Sequence, residues 1–146
     1  MPEPHEFPRM IFKTWILLIA GSTAAFASEF TVTVENLRGG KGKVRVLLFA
    51  QSDGFPDQPG PAAARAEATA VKGSLEIKFH HLKTGRYAIA VLHDEDSDGK
   101  LATNFIGIPK EGVGVSGPLG NSKPAFDQCL FQVKQGGSQR IRMKYW

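Results

Sequence analysis

Asp94, Asp96 and Asp98 recur at every second position and Gly99 follows them, the spacing at which a tight loop can turn hard oxygen ligands toward one cation. This is the opening D-x-D-x-D-G of a calcium loop, whose ligand oxygens converge at about 2.3–2.6 Å from the ion. With Glu95 included, the carboxylates stand close enough in sequence to repel one another unless a counter-charge joins them. The predicted cofactor is Ca²⁺, held by the side chains of Asp94, Asp96 and Asp98 and the backbone carbonyl of Lys100. The twelfth position of the loop is Phe105, where a full helix-loop-helix site has a bidentate Glu. Affinity is therefore expected in the weak extracellular range of about 10⁻⁴ to 10⁻³ M. Glu111 supplies a substitute ligand if residues 105–116 fold back. The alternative is a polar turn without an ion, because Asp, Ser and Gly are ordinary turn residues.

Around this loop, His93, Asn104, Lys110, Glu111 and Ser116 are the candidate ligand-binding residues, the ligand being a small molecule, a glycan or an envelope protein. An enzyme using His93 and Glu111 as acid and base in a loop cleft is the alternative. No spacing matches a nucleophile elbow or a metalloprotease helix, and the glycines at 112, 114, 117 and 120 sit in no strand-to-helix context for phosphate. A His ending a central strand is also an ordinary hydrogen-bonded structural residue. The residues lean toward binding and away from catalysis.

The elements that must position these groups read as strands. Phe30, Val32 and Val34 alternate with Thr31, Thr33 and Glu35 over Glu29 to Leu37, a half-buried strand. Lys43 to Phe49 follows the Gly-rich turn at 39–42 and is apolar on both faces, so the two read as a hairpin. Residues 52–61, with Asp53-Gly54, Phe55-Pro56 and Pro59-Gly60-Pro61, form a surface loop. An edge strand is expected over 66–72, a strand over 74–81 with His80 outward and His81 on the core parity, and a central strand over 86–93 that delivers the acidic loop from its end. Residues 105–126 read as a long connection without regular structure. A last hairpin pairs 128–134 with 138–145, placing Cys129 on the parity of Phe131 and Val133 as a buried thiol. The fold class is all-β, a single Ig-like or transthyretin-like antiparallel sandwich of about seven strands.

The chain has 146 residues and a formal charge of +4, the size of one domain. Arg9 and Lys13 precede an apolar run, and Ala25-Phe26-Ala27 has the small-x-small pattern of a signal peptidase site. Residues 1–27 are therefore read as a signal peptide, with 28–146 as the sandwich domain and an exported, periplasmic or extracellular location. Glu3 and Glu6 are unusual in such a leader, and translation from Met10 instead of Met1 would remove them. The apolar run is too short to span a bilayer, and position 28 is Ser, not a lipid-accepting Cys, so no membrane span is expected after cleavage. The basic residues are scattered, which argues against nucleic acid as a partner. Cys129 is the single Cys, so no intramolecular disulfide exists.

Val44 to Phe49, Gly54-Phe55-Pro56, Leu82-x-x-Gly85-x-Tyr87, His93-Asp94-Glu95, Gly99-Lys100-Leu101, Thr103 through Gly112 and Ser116 together resemble the exported bacterial family known as domain of unknown function 2141. The Leu-x-x-Gly-x-Tyr turn is similar to that of transthyretin-like and carboxypeptidase-regulatory domains, which implies a seven-stranded sandwich and nothing about activity. The chain departs from the family pattern at Ala102, where an acidic residue is common, and at Val115, where an aromatic is common. The first departure removes a possible ion ligand. The expected function is an exported, non-enzymatic binding module whose ligand surface is formed by residues 94–120.

Overall fold

Strand alternation sets the layers. Phe30, Val32 and Val34 on β1 (Glu29–Leu37) and Val44, Val46 and Leu48 on β2 (Lys43–Phe49) are buried at every second position, because successive side chains of a strand leave on opposite faces. The computed structural model describes residues 29–146; the predicted signal peptide and its cleavage site lie outside the described residues. Within them the strands are β1, β2, β3 (Ala64–Thr69), β4 (Gly73–His80), β5 (Gly85–Asp94), β6 (Gly112–Val115), β7 (Phe131–Val133) and β8 (Ser138–Arg142), with one helical turn, α1 (Phe126–Cys129), before β7. They form a three-stranded sheet, β4-β1-β8, packed on a five-stranded sheet in which β3-β2-β5-β6 are neighbours and β7 pairs with β5.

The architecture is the expected all-β sandwich, with corrections in its connections. β1 and β2 are not a hairpin: they lie in different sheets. The chain at 38–42 crosses between the sheets, a gap of about 10 Å that five residues span easily. β7 and β8 are likewise split between the sheets, and β8 runs parallel to β1, so the sandwich is not wholly antiparallel. Turn chemistry alone does not distinguish a reversal within a sheet from a crossing between sheets. A strand, β6, stands where an irregular connection is expected, its two glycines having hidden the alternation. α1 replaces the start of the expected strand 128–134, and the edge strand falls at Ala64–Thr69. His81 is exposed in a turn with φ of 60°, not on the core side of a strand.

The main core lies between the sheets and includes Val32, Val34, Val46, Leu48, Ile89 and Ile141. Leu37 joins it although its parity is wrong, because a register shift between Val34 and Leu37 turns the strand over there. A second, smaller cluster covers part of the outer face of the five-stranded sheet, where Phe49, Ala88 and Ala90 meet Phe55 and Cys129. The rings of Phe49 and Phe55, and of Phe55 and Phe126, meet edge-on at 5.4 and 5.6 Å. Among the described residues, the remainder of that outer face has no second layer.

Candidate functional site

β5 ends by sending His93 and Asp94 to opposite faces, as strand geometry requires, and both are fully buried. His93 points between the sheets, where Nε2 lies 2.8 Å from the carbonyl of Lys41 and Nδ1 lies 2.8 Å from the hydroxyl of Tyr145. A carbonyl only accepts, so in the neutral ring Nε2–H donates to Lys41 and the Tyr145 hydroxyl donates to Nδ1. The hydroxyl also accepts the amide of Arg38 at 3.2 Å. Burial, opposed by these Arg38 contacts, raises the Tyr145 pKa. Gly112 sits directly across from His93 in the β5–β6 register, and a Cβ there would stand 2.3 Å from the Tyr145 ring.

Asp94 faces the other way, onto the outer face. Its Oδ2 accepts from Arg45 Nε and from the Gly99 amide, both at 2.8 Å, and its Oδ1 accepts the Asp98 amide at 3.2 Å. Burial, the largest influence, acts to raise its pKa; the bonds from Arg45 and Gly99 outweigh it and hold the carboxyl below the usual range. Gly99 makes the bend with φ of 79°. Arg45 continues to Glu67 at 2.5 Å, and Glu67 to Lys43 at 2.8 Å.

Glu111 folds back onto this loop. Its two carboxylate oxygens accept the amides of Glu95 and Ala102, each at 3.0 Å, so it clamps the loop at both ends. Oxygens of Asp94, Asp96 and Glu111 lie within 4.8 Å of one another. The Asp98 amide, the largest influence on Asp96, lowers its pKa, but desolvation and the carboxylates of Asp94 and Asp98 together raise it above the ordinary value. Asp98 is outside this trio and instead accepts the Lys100 amide at 2.8 Å. Of the predicted metal ligands the structure thus gathers Asp94 and Asp96, and adds Glu111. Arg38 seals the same end of the sandwich. It binds Glu95 at 2.6 Å and the Lys110 carbonyl at 3.0 Å, with its guanidinium 4.6 Å over the Tyr145 ring. The bond from Arg38 is the main cause of the lowered Glu95 pKa.

The five predicted ligand-binding residues do not converge on one cavity. His93 and Glu111 are consumed by the contacts above, and no hydrogen bond joins them among the described residues. Asn104 holds a turn, its Oδ1 accepting the amides of Ile106 and Ile108 at 3.1 and 2.9 Å. Ser116 ties β5 to α1 by accepting the Ile89 amide at 2.8 Å and donating to the Cys129 carbonyl at 2.5 Å. Lys110 is exposed, and its backbone carbonyl makes its contact to Arg38.

A cavity of about 1100 Å³ lies on the outer face of the five-stranded sheet. Its floor is Leu47, Ala90, Leu92, Val113 and Val115, with Arg45, Glu67 and Arg65 on the β2–β3 side. The walls are Pro56 to Pro59, residues 119–124 with Trp146, and a hairpin-like projection at 102–110 that brings Ile106, Ile108 and Pro109 to the rim. That projection is closed by the Thr103–Pro109 bridge and by the Lys110 amide on the Ala102 carbonyl at 2.8 Å. The apolar outward positions of β2 and β5, Leu47 and Leu92, were the sequence signal for this surface; read as central-strand burial, they instead face the groove.

A family model described as "Uncharacterized protein conserved in bacteria (DUF2141)" matches residues 32–142. No curated protein and no solved structure matches the chain, so the likeness to transthyretin-like domains gains no support from solved structures.

Proposed function

The chain belongs to that bacterial family, and we propose that it is an exported, non-enzymatic binding module that holds an apolar small molecule on the outer face of its five-stranded sheet. The observation that carries this reading is the floor of Leu47, Leu92, Val113 and Val115, half-buried side chains that the second apolar cluster borders but, among the described residues, does not cover, enclosed by loops into a cavity of about 1100 Å³. Small-molecule sites are of this kind, concave and mostly apolar with a few polar groups at the edge. The loops expected to carry binding, residues 94–120, contribute one wall and part of the floor. Catalysis by His93 and Glu111 is disfavoured because both ring nitrogens and both carboxylate oxygens hold structural partners. Export rests on the leader-like residues 1–27, and an intact mass beginning at Ser28 would support it. Among the described residues, no helix is long and apolar enough to cross a membrane.

The test is titration with the neutral fluorophore N-phenyl-1-naphthylamine, whose emission rises in apolar surroundings. A saturable rise that Leu92→Asp removes, in a variant still folded by circular dichroism, supports the groove. An unsaturable signal, or one unchanged in the variant, overturns it.

A second reading adds Ca²⁺ at Asp94, Asp96 and Glu111. It is favoured by the approach of their oxygens to within 4.8 Å and by the oxygen-rich chemistry that a hard cation requires.

A further inference from the structure

The charges around the groove do not cancel evenly. Lys43, Arg45, Glu67 and Asp94 form a closed network, with Lys43 on Glu67 and Arg45 shared between Glu67 and Asp94, so two cations meet two carboxylates. Lys123 on the opposite wall has Asp57 at 3.6 Å. Arg65 lines the same cavity, and among the described residues no carboxylate lies within ion-pair distance of it. It stands beside Leu47 in the β2–β3 register, two cross-strand pairs along from Arg45 and Glu67 and so on the same face. The acidic loop lies at the Arg45 end, where Asp98 acts on the Arg45 charge. The β2–β3 side of the groove therefore has a polarity, from carboxylates at the Arg45 end to an uncompensated guanidinium beside Leu47, with the apolar floor of β5 and β6 running alongside.

We propose that the groove takes a monoanionic amphiphile, an unbranched apolar chain bearing one carboxylate, with the chain on Leu47, Leu92, Val113 and Val115 and the head on Arg65. This rests on the groove reading above. One planar guanidinium fits one carboxylate with paired hydrogen bonds, and the acidic end rejects a head placed the other way. A cationic amphiphile of equal chain length gains the same apolar contact but meets Arg65 with like charge.

The experiment compares decanoate with decyltrimethylammonium, both below their micellar concentrations, by isothermal titration calorimetry and by displacement of N-phenyl-1-naphthylamine. Decanoate is expected to bind about fivefold more tightly, the scale of a partly exposed ion pair. Arg65→Gln should abolish the preference, and Arg65→Lys should keep part of it. Lys72→Gln, at an exposed cation outside the groove lining, should leave it intact. Equal binding of the two amphiphiles, a preference that survives Arg65→Gln, or one lost through Lys72→Gln overturns the anionic head while the groove itself stands. Failure of both amphiphiles and of the neutral fluorophore overturns the groove as well. Arg65 is exposed on an edge strand, and matched melting curves verify that its variants fold.

Discussion

The Tyr145 hydroxyl reaches across the end of the sandwich and donates to Nδ1 of His93 at 2.8 Å, fixing the tautomer whose Nε2–H is spent on the Lys41 carbonyl. Tyr145→Phe would leave Nδ1 buried without a donor. Loss of a partner to a buried polar group costs about 1–3 kcal/mol. Urea unfolding of the variant is expected to show a loss in that range with an unchanged m-value. A loss below about 0.5 kcal/mol would mean that water replaces the hydroxyl.

Gly112 makes that contact sterically possible. A Cβ at position 112 would lie 2.3 Å from Tyr145 Cε1 and 2.6 Å from Cζ, so Gly112→Ala must displace the ring or β6. Overpacking of this kind costs about 1–3 kcal/mol. The double variant with Tyr145→Ala frees the space and should recover most of the Gly112→Ala component in a double-mutant cycle; simple additivity would count against the steric account.

What could be read in advance follows from what repeats. The alternation in Phe30-Val32-Val34 and Leu75-Ile77-Phe79 fixes which faces are buried, and those residues are at the core or packed against it. The bend at Gly99 was also legible, from loop chemistry; the return of Glu111 to the acidic loop was only a condition of the sequence reading, and the amides of Glu95 and Ala102 are what hold it there. Sheet membership was not: the glycines at 39–42 are compatible with a hairpin or a crossing, and only contacts distant in sequence decide. The structure gives His93, Asn104, Glu111 and Ser116 hydrogen-bonding duties within the fold that the sequence did not reveal. Polar residues beside strand ends are needed to satisfy backbone amides and carbonyls of a long connection, and sequence alone does not separate that duty from ligand binding. Leu47 and Leu92 carried the opposite ambiguity, since an apolar outward side chain signals a covering layer or a site.

Asp94 gives the fold an acid limb. Its folded pKa lies below the usual range, so the unfolded chain binds the proton more readily and the stabilisation is present above the unfolded value of about 3.9. It is lost as pH falls through the folded value. Asp94→Asn should therefore lower the melting temperature at pH 7 yet lose less of it between pH 5 and 2 than the unaltered protein. Glu95, lowered by Arg38, contributes with the same sign. Parallel acid limbs for the two proteins would exclude Asp94 as the source.

Cys129 has no exposed surface, and burial raises its thiol pKa against the opposing amide of Gly117. A thiol that is both inaccessible and protonated is a poor nucleophile. Iodoacetamide at pH 8 should leave the native protein unmodified by intact mass and label it fully in denaturant. Labelling at the rate of a free thiol would mean that α1 and the Gly117 turn open readily.

Asp96 makes the sharpest case for an ion. Its carboxyl is exposed, but desolvation and its carboxylate neighbours Asp94 and Asp98 outweigh the lowering bond from the Asp98 amide and raise its pKa. With the sign reversed from Asp94, its ionisation removes stability as pH rises through the folded value. A divalent cation among Asp94, Asp96 and Glu111 would offset that repulsion. Binding to the folded state alone adds RT ln(1 + [L]/Kd), about 1.4 kcal/mol at ten times Kd, so millimolar Ca²⁺ should raise the melting temperature relative to EDTA. Asp96→Asn keeps the fold, because the side chain is exposed, and should abolish the rise. Asp98→Ala should retain part of it, since Asp98 caps the Lys100 amide and stands outside the trio. The same melting curve in Ca²⁺ and in EDTA would reduce the loop to a charged turn held by Arg45 and Glu111. A rise that persists in Asp96→Asn would place the ion elsewhere.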